Sequence, residues 1–278
     1  MSASRQCRWW TLRRRGRRAL AGLVPLVLLP ACGSGTVRIS YRPAVGAVAV
    51  YRTSVRAVTV TSIGDEVPRR RVTSSALTAH HRVLESGPDG TRVEVRLHEQ
   101  GVPDATFVVR FGRAGQLSEV QRIEGVPADV LGGLGVSEIF PAGAAAPPAR
   151  PLAPGDRWAV DGPVRLADAG PSTARLAGHG RLVALAVAAG KSLARVDTDY
   201  RLPVRRTAAD TGGRLALEGT LATRARVDYD LDDHEVDTVT ARTTGRYAVT
   251  LLPPPGVSGV PVPGTLDVDV WSTSRRIA

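Results

Sequence analysis

The chain has 278 residues, enough for one large all-β domain, and a hydrophobic fraction of 43% excludes wholesale disorder. Aromatics make up only 4%, Asn is absent and Lys191 is the sole lysine, so Val, Leu and Ala must fill the interior while Arg carries the positive charge. A formal charge of +11 would point to nucleic acid or an acidic surface, but seven of the 37 basic residues precede Cys32, and the other 30, set against 26 acids and scattered along the chain, leave no nucleic-acid footprint.

The first element in chain order is an export signal. Arg5, Arg8, Arg13, Arg14, Arg15, Arg17 and Arg18 precede an apolar run at residues 19–29. A membrane-spanning helix takes about 18 or more apolar residues, so this run has the length of a signal-peptide core. Leu29-Pro30-Ala31-Cys32-Gly33 resembles the lipobox of bacterial lipoproteins. That resemblance implies cleavage between Ala31 and Cys32 and a palmitate-bearing diacylglycerol on Cys32, whose acyl chains anchor the protein stably in the cell membrane on its extracytoplasmic face. Arg17-Arg18-Ala19-Leu20 also resembles a twin-arginine signal, so the folded and unfolded export routes both stay open. Cys7 lies in the segment to be removed, which leaves no intramolecular disulfide. Residues 1–31 are read as signal peptide, 32–46 as lipidated cysteine and tether, and 47–278 as a single antiparallel β domain.

From residue 48 the sequence alternates apolar and polar residues, the period of a strand that buries one face. Turn chemistry interrupts the alternation at Gly64-Asp65, Gly87-Pro88-Asp89-Gly90, Gly112 to Gly115 and Gly190-Lys191. Strands are therefore predicted at 47–62, 69–85, 91–99, 104–111 and 116–123. One helix is predicted at 127–139, with Pro127 in the first turn and Val130, Leu131, Leu134 and Ile139 on one face. Gly132, Gly133 and Gly135 weaken it by about 1 kcal/mol each. A Pro/Ala-rich connector follows at 141–154. Order restarts at Gly155-Asp156-Arg157-Trp158, and further strands are predicted at 178–189, 192–203, 214–229, 236–251 and 264–274. Long sequential strands with short turns imply a mainly β fold: a large curved antiparallel sheet, half-barrel-like, with one or two short helices.

No residue set announces catalysis. The acidic cluster Asp228, Asp230, Asp232, Asp233, Glu235 and Asp237 fails the calcium-loop pattern, having Asp233 where glycine is needed and Val239 where the bidentate Glu is needed. Adjacent His80 and His81 on a strand face opposite ways and cannot clasp one ion, and His98, His179 and His234 stand alone. Ser258 lacks the glycine frame of a nucleophile elbow, and there is no phosphate-binding glycine loop. Trp158 and Trp271, with Phe107, Phe111, Phe140 and Tyr51, read as core anchors. Phe140 with Val130, Leu131 and Leu134 could alternatively roof an apolar pocket. Neither a metal, a cofactor nor enzymatic activity is expected.

A lipobox, strands opening with Gly46-Ala47-Val48-Ala49-Val50-Tyr51, a helical segment and a Pro-rich stretch ending in Pro154-Gly155-Asp156-Arg157-Trp158 together resemble an uncharacterised family of exported lipoproteins from high-GC Gram-positive bacteria. More remotely, the layout is similar to LolA-type and mycobacterial lipid-carrier lipoproteins, in which a curved sheet and helices hold acyl chains. The resemblance implies a membrane-anchored envelope protein that binds a hydrophobic ligand such as a lipid. The alternative is an interaction module engaging another envelope protein or the cell wall.

Overall fold

The computed structural model describes residues 35–278 apart from 102, 114, 116, 125–146, 166–172, 211–212 and 254–257. Ser34–Ala278 forms a compact unit of its own. Its strands are β1 (Val48–Ile63), β2 (Arg69–Gly87), β3 (Gly90–Glu99), β4 (Ala105–Phe111), β5 (Leu117–Glu124), β6 (Arg157–Arg165), β7 (Thr173–Ala188), β8 (Lys191–Asp210), β9 (Gly213–Asp230), β10 (Glu235–Leu252) and β11 (Val262–Arg276). They form one antiparallel sheet in the order β5-β4-β3-β2-β1-β11-β10-β9-β8-β7-β6. The fold is the expected curved, unclosed antiparallel sheet. The helix predicted at 127–139 and the first part of the connector, 141–146, lie outside the described residues.

Two meandering wings, β1 to β5 and β6 to β11, meet where β1 pairs with β11 from Tyr51↔Arg276 to Ile63↔Gly264. Alternation decides which side of each strand is buried, and β4 follows it residue by residue: Ala105, Phe107, Val109 and Phe111 are buried, with half-exposed side chains between them. The turns are built where the sequence marks them. Gly64, Gly90, Gly115 and Gly190 all have positive φ, and Ala189 joins Gly190 in the left-handed region to close the tight β7–β8 hairpin. Prolines sit where a strand lacks a neighbour on one side. Pro163 is on the edge strand β6, Pro203 lies just past the last β7–β8 pair at Arg201, and Pro263 lies just before β11 meets β1 at Gly264.

The sheet curls at one end. β-Bulges at Val83/Glu85 in β2, Leu182/Ala184 in β7 and Val236/Thr238 in β10 add local twist there. Side chains from both wings then share one core: Val93, Val95, Phe107 and Val109 from one, Leu182, Val196, Val227 and Tyr229 from the other. Residues 37–41 lie between them. Val37 and Leu152 exchange backbone hydrogen bonds of 2.8 Å, the N–H of Tyr41 donates to the Arg113 carbonyl on one wing, and the N–H of Arg42 donates to the His234 carbonyl on the other. Ile39 is fully buried. The stretch read from sequence as the end of a tether is therefore part of the core from Val37 onward, because its apolar residues fill the gap that a curled but open sheet leaves between its wings.

Candidate functional site

Away from the curled end the strands are unequal in length. Pairing of β2 with β3 stops at Leu77↔Glu99 and pairing of β7 with β8 at Ala177↔Arg201. The ribbon β8-β9-β10-β11-β1-β2 continues beyond, to Asp210↔Gly213, Leu252↔Arg214 and Thr61↔Arg69. Cross-strand partners share a face, so the concave side of this projecting ribbon can be read from the registers. It carries Leu202, Val204, Leu221, Leu217, Tyr247, Val249, Leu266 and Val268. Leu202, Tyr247 and Val249 are buried, while Val204, Leu217, Leu221, Leu266 and Val268 keep partial exposure. The result is an apolar trough continuous with the core.

Glycines and aromatics shape its floor. Tyr247 lies against Gly245 and Gly219, where an added β-carbon would fall 2.8 Å from its ring, and Gly178 leaves the room taken up by the Asp199 carbonyl and the Tyr200 Cα and Cβ. Between trough and core runs a band of small hydroxyl residues. The Thr223 and Thr243 hydroxyls meet at 2.9 Å, the Thr53 hydroxyl donates to Ser274 at 2.9 Å, and Ser272 and Thr198 are buried beside them. Burial pushes the Tyr200 phenol above its ordinary pKa against a hydrogen bond with Thr223, so it stays protonated and able to donate. This face combines apolar area with a few fixed donors, the composition of a small-molecule site.

The residues singled out from sequence fall in several places. Ala31, Cys32, Val130, Leu131, Leu134 and Phe140 lie outside the described residues. Phe107, Phe111, Tyr51 and Trp158 are core residues, Tyr51 donating to the Val236 carbonyl at 2.9 Å. Trp271 is not a core anchor. It stands half-exposed on the convex face, with the Arg242 and Arg56 guanidiniums 5.1 and 5.6 Å from its ring, because β11 carries its inward set at Val268, Val270 and Ser272. His80 is exposed and His81 buried, on opposite faces as their adjacency requires. His81 packs between Tyr51 and Phe111 at 4.6 and 6.1 Å, and burial, with His80 adding to it, pushes its pKa down to about 3.

The acidic hairpin is an ion-pair hub. Asp228 takes both ends of the Arg195 fork at 2.8 and 2.9 Å. Asp230 Oδ1 accepts from the N–H groups of Asp232 and Asp233, and its Oδ2 is 3.1 Å from Lys191 Nζ, which also reaches Asp237. Burial pushes the Asp230 carboxyl up, but those N–H groups and the Lys191 ammonium outweigh it and hold the pKa below the usual value. Arg276 lies 2.9 Å from Glu235 and 2.8 Å from Asp233, pinning β11 to the β9–β10 turn. The sequence marks the acids without the three cations that answer them, since Lys191, Arg195 and Arg276 arrive from other strands.

No protein-family model matches the chain, and no curated protein does. Among solved structures, OmpTdeltaL8, the loop L8 deletion mutant of OmpT, an outer membrane protein of Vibrio cholerae, is similar over 83% of this chain and 99% of its own at 9% identity. With a TM-score of 0.16, that likeness carries no argument about this chain.

Proposed function

We propose that this protein is a lipoprotein of the cell envelope, anchored through Cys32 to the outer face of the cytoplasmic membrane, that holds a hydrophobic ligand of lipid type on its concave face. The observation that carries the reading is the trough of Val204, Leu217, Leu221, Leu266 and Val268, partly exposed apolar side chains on the inner side of a ribbon projecting past its neighbours. A sheet that needed only a core would gain nothing from strands that outrun β3 and β7 with an apolar inner face. The neighbouring hydroxyl band and the Tyr200 phenol supply donors for a polar head, and the trough supplies area for an acyl chain.

The test is native mass spectrometry of Ser34–Ala278 purified from a high-GC Gram-positive host. A co-purifying species of lipid mass, lost when Leu221→Trp and Val268→Trp fill the trough, is the expected result. A clean unliganded mass from folded protein overturns lipid carriage and favours the interaction-module reading.

A further inference from the structure

The convex face carries a groove that the lipid reading does not use. It crosses the strands from β6 to β11 and encloses 660 Å³. Its floor is the backbone at Gly180, Thr198, Ala225, Ala241 and Ser272, the last four of which turn their side chains to the concave side. Arg181, Asp197 and Arg226 stand along one wall and Asp199, Arg224 and Arg242 along the other, with Arg157 at the β6 end and Trp271 at the β11 end. Six strands at about 4.8 Å separation make it roughly 24 Å long, which suits an extended chain better than a compact molecule.

Like charges face one another at two places in it. Arg157 is paired in register with Arg181, and Arg224 with Arg242, while on their other flanks Arg181 faces Asp197 and Arg224 faces Asp199. Like charges directly opposite one another on one face destabilise a sheet. Arg226 is forked onto Asp197, and Arg242 onto Asp269. Arg157, Arg181 and Arg224 have no ion-pair partner among the described residues, and Asp199 is the one acid of the groove left without an arginine on it. Elsewhere on the same face several arginines are matched with acids, as at Arg175–Asp161, Arg205–Glu218 and Arg246–Asp267. Among the described residues, Arg157, Arg181 and Arg224 are the unmatched arginines of the recess; Arg52, Arg201 and Arg275 are unmatched on the flatter surface around it.

We infer that this groove binds a linear polyanion whose charged groups are phosphates. Two arginines set side by side select for phosphate: a carboxylate's two oxygens are satisfied by one guanidinium fork, whereas a phosphate accepts from two forks at once. A recessed channel admits a thin chain and keeps these arginines off a flat bilayer. Single-stranded nucleic acid is disfavoured because Trp271, the groove's one large aromatic, is already engaged by the Arg56 and Arg242 cations, which leaves only the small His179 ring for a base.

The experiment is calorimetric titration of Ser34–Ala278 with long-chain linear polyphosphate, with oligothymidylate and phosphatidylglycerol vesicles run in parallel. Saturable polyphosphate binding is expected, weakened at least tenfold by Arg181→Gln with Arg224→Gln, and with a salt slope smaller by about 1.4 for the two lost contacts. The charge-matched control, Arg70→Gln with Arg71→Gln on exposed β2 positions far from the groove, keeps wild-type affinity. The groove variant removes one like-charge and one opposite-charge neighbour at each position, so its melting temperature stays level, which separates lost binding from lost folding. Equal weakening by both double variants, no polyphosphate binding at low salt, oligothymidylate bound as tightly, or binding to vesicles alone each overturns the assignment.

Discussion

The indole ring of Trp158 on β6 occupies the space that a β-carbon on Gly180 of β7 would need, directly across the strand pair. The aromatic covers the backbone that glycine leaves bare, and the glycine lets the ring lie flat in the core. Gly180→Ala therefore has to push Trp158 off its seat. Overpacking of this kind costs about 1–3 kcal/mol. The expected drop in melting temperature is on the order of 2–10 °C for a domain of this size, followed by circular dichroism. Gly155→Ala is not a matched control, because its φ of +100° adds strain; Gly35→Ala, with open space around it, is.

Asp230 is only 1% exposed, yet its carboxylate is held by two backbone N–H groups and the chain's single lysine. Asp230→Ala strips the hairpin of its internal acceptor and leaves Lys191 facing Asp237 alone. Lys191 is partly exposed and keeps Asp237, so the cost comes from the two N–H groups left without their acceptor, about 1–3 kcal/mol. Urea unfolding should show a lowered midpoint with an unchanged slope. By contrast Arg246→Ala, which breaks an exposed, solvent-screened pair with Asp267, is expected to leave the midpoint unchanged.

His81 sets a pH dependence whose sign follows from its burial. Its folded pKa of about 3 lies below the ordinary value of 6.5, so below pH 6.5 the unfolded chain binds a proton that the folded protein refuses. Stability is complete above that value and is lost as pH falls toward 3. Between pH 7 and 5, where ordinary carboxylates remain ionised, the unfolding midpoint should fall with pH. His81→Phe, which keeps a ring between Tyr51 and Phe111, should flatten that slope. Burial pushes the Glu235 carboxyl up against the pull of Arg276, a contribution of opposite sign that favours the fold at low pH. An unchanged slope in the His81 variant would assign the dependence elsewhere.

The proposed anchor gives a direct chemical prediction. Cys32→Ser should abolish incorporation of labelled palmitate and move the protein from the membrane fraction to the medium. Ser substitution of Cys7 should leave both unchanged.

Much of the fold was legible because alternation is a local signal. The ends of eight strands fall close to where periodicity and turn residues place them; β7 starts earlier and β8 runs further than expected, since Gly178 and Gly180 blur the start of one and Pro203 reads as a stop in the other. β6 escaped, for Gly162 and Pro163 interrupt its pattern, and only its position at the sheet edge makes a proline tolerable there. The trough was not legible at all. Which face of Leu221 or Val268 is concave depends on how the sheet curls, and that is decided by bulges and by residues 37–41 packing between the wings. The sequence reading looked instead to Val130, Leu131, Leu134 and Phe140 for an apolar pocket.

The pairing of β1 with β11 also dictates an order of assembly. Every other strand pair joins neighbours along the chain, whereas Thr53 and Ser274, hydrogen-bonded across this seam, are 221 residues apart. Closing a loop of that length in one step costs about 5 kcal/mol of chain entropy, so each wing should zip from its own hairpins first and the seam should join last. Until β11 emerges, β1 presents a long unpaired edge rich in valine, a template for aggregation. A ribosome that stops short of β11 therefore releases two half-sheets with sticky margins, and a cell making this protein must shelter that edge until the seam closes.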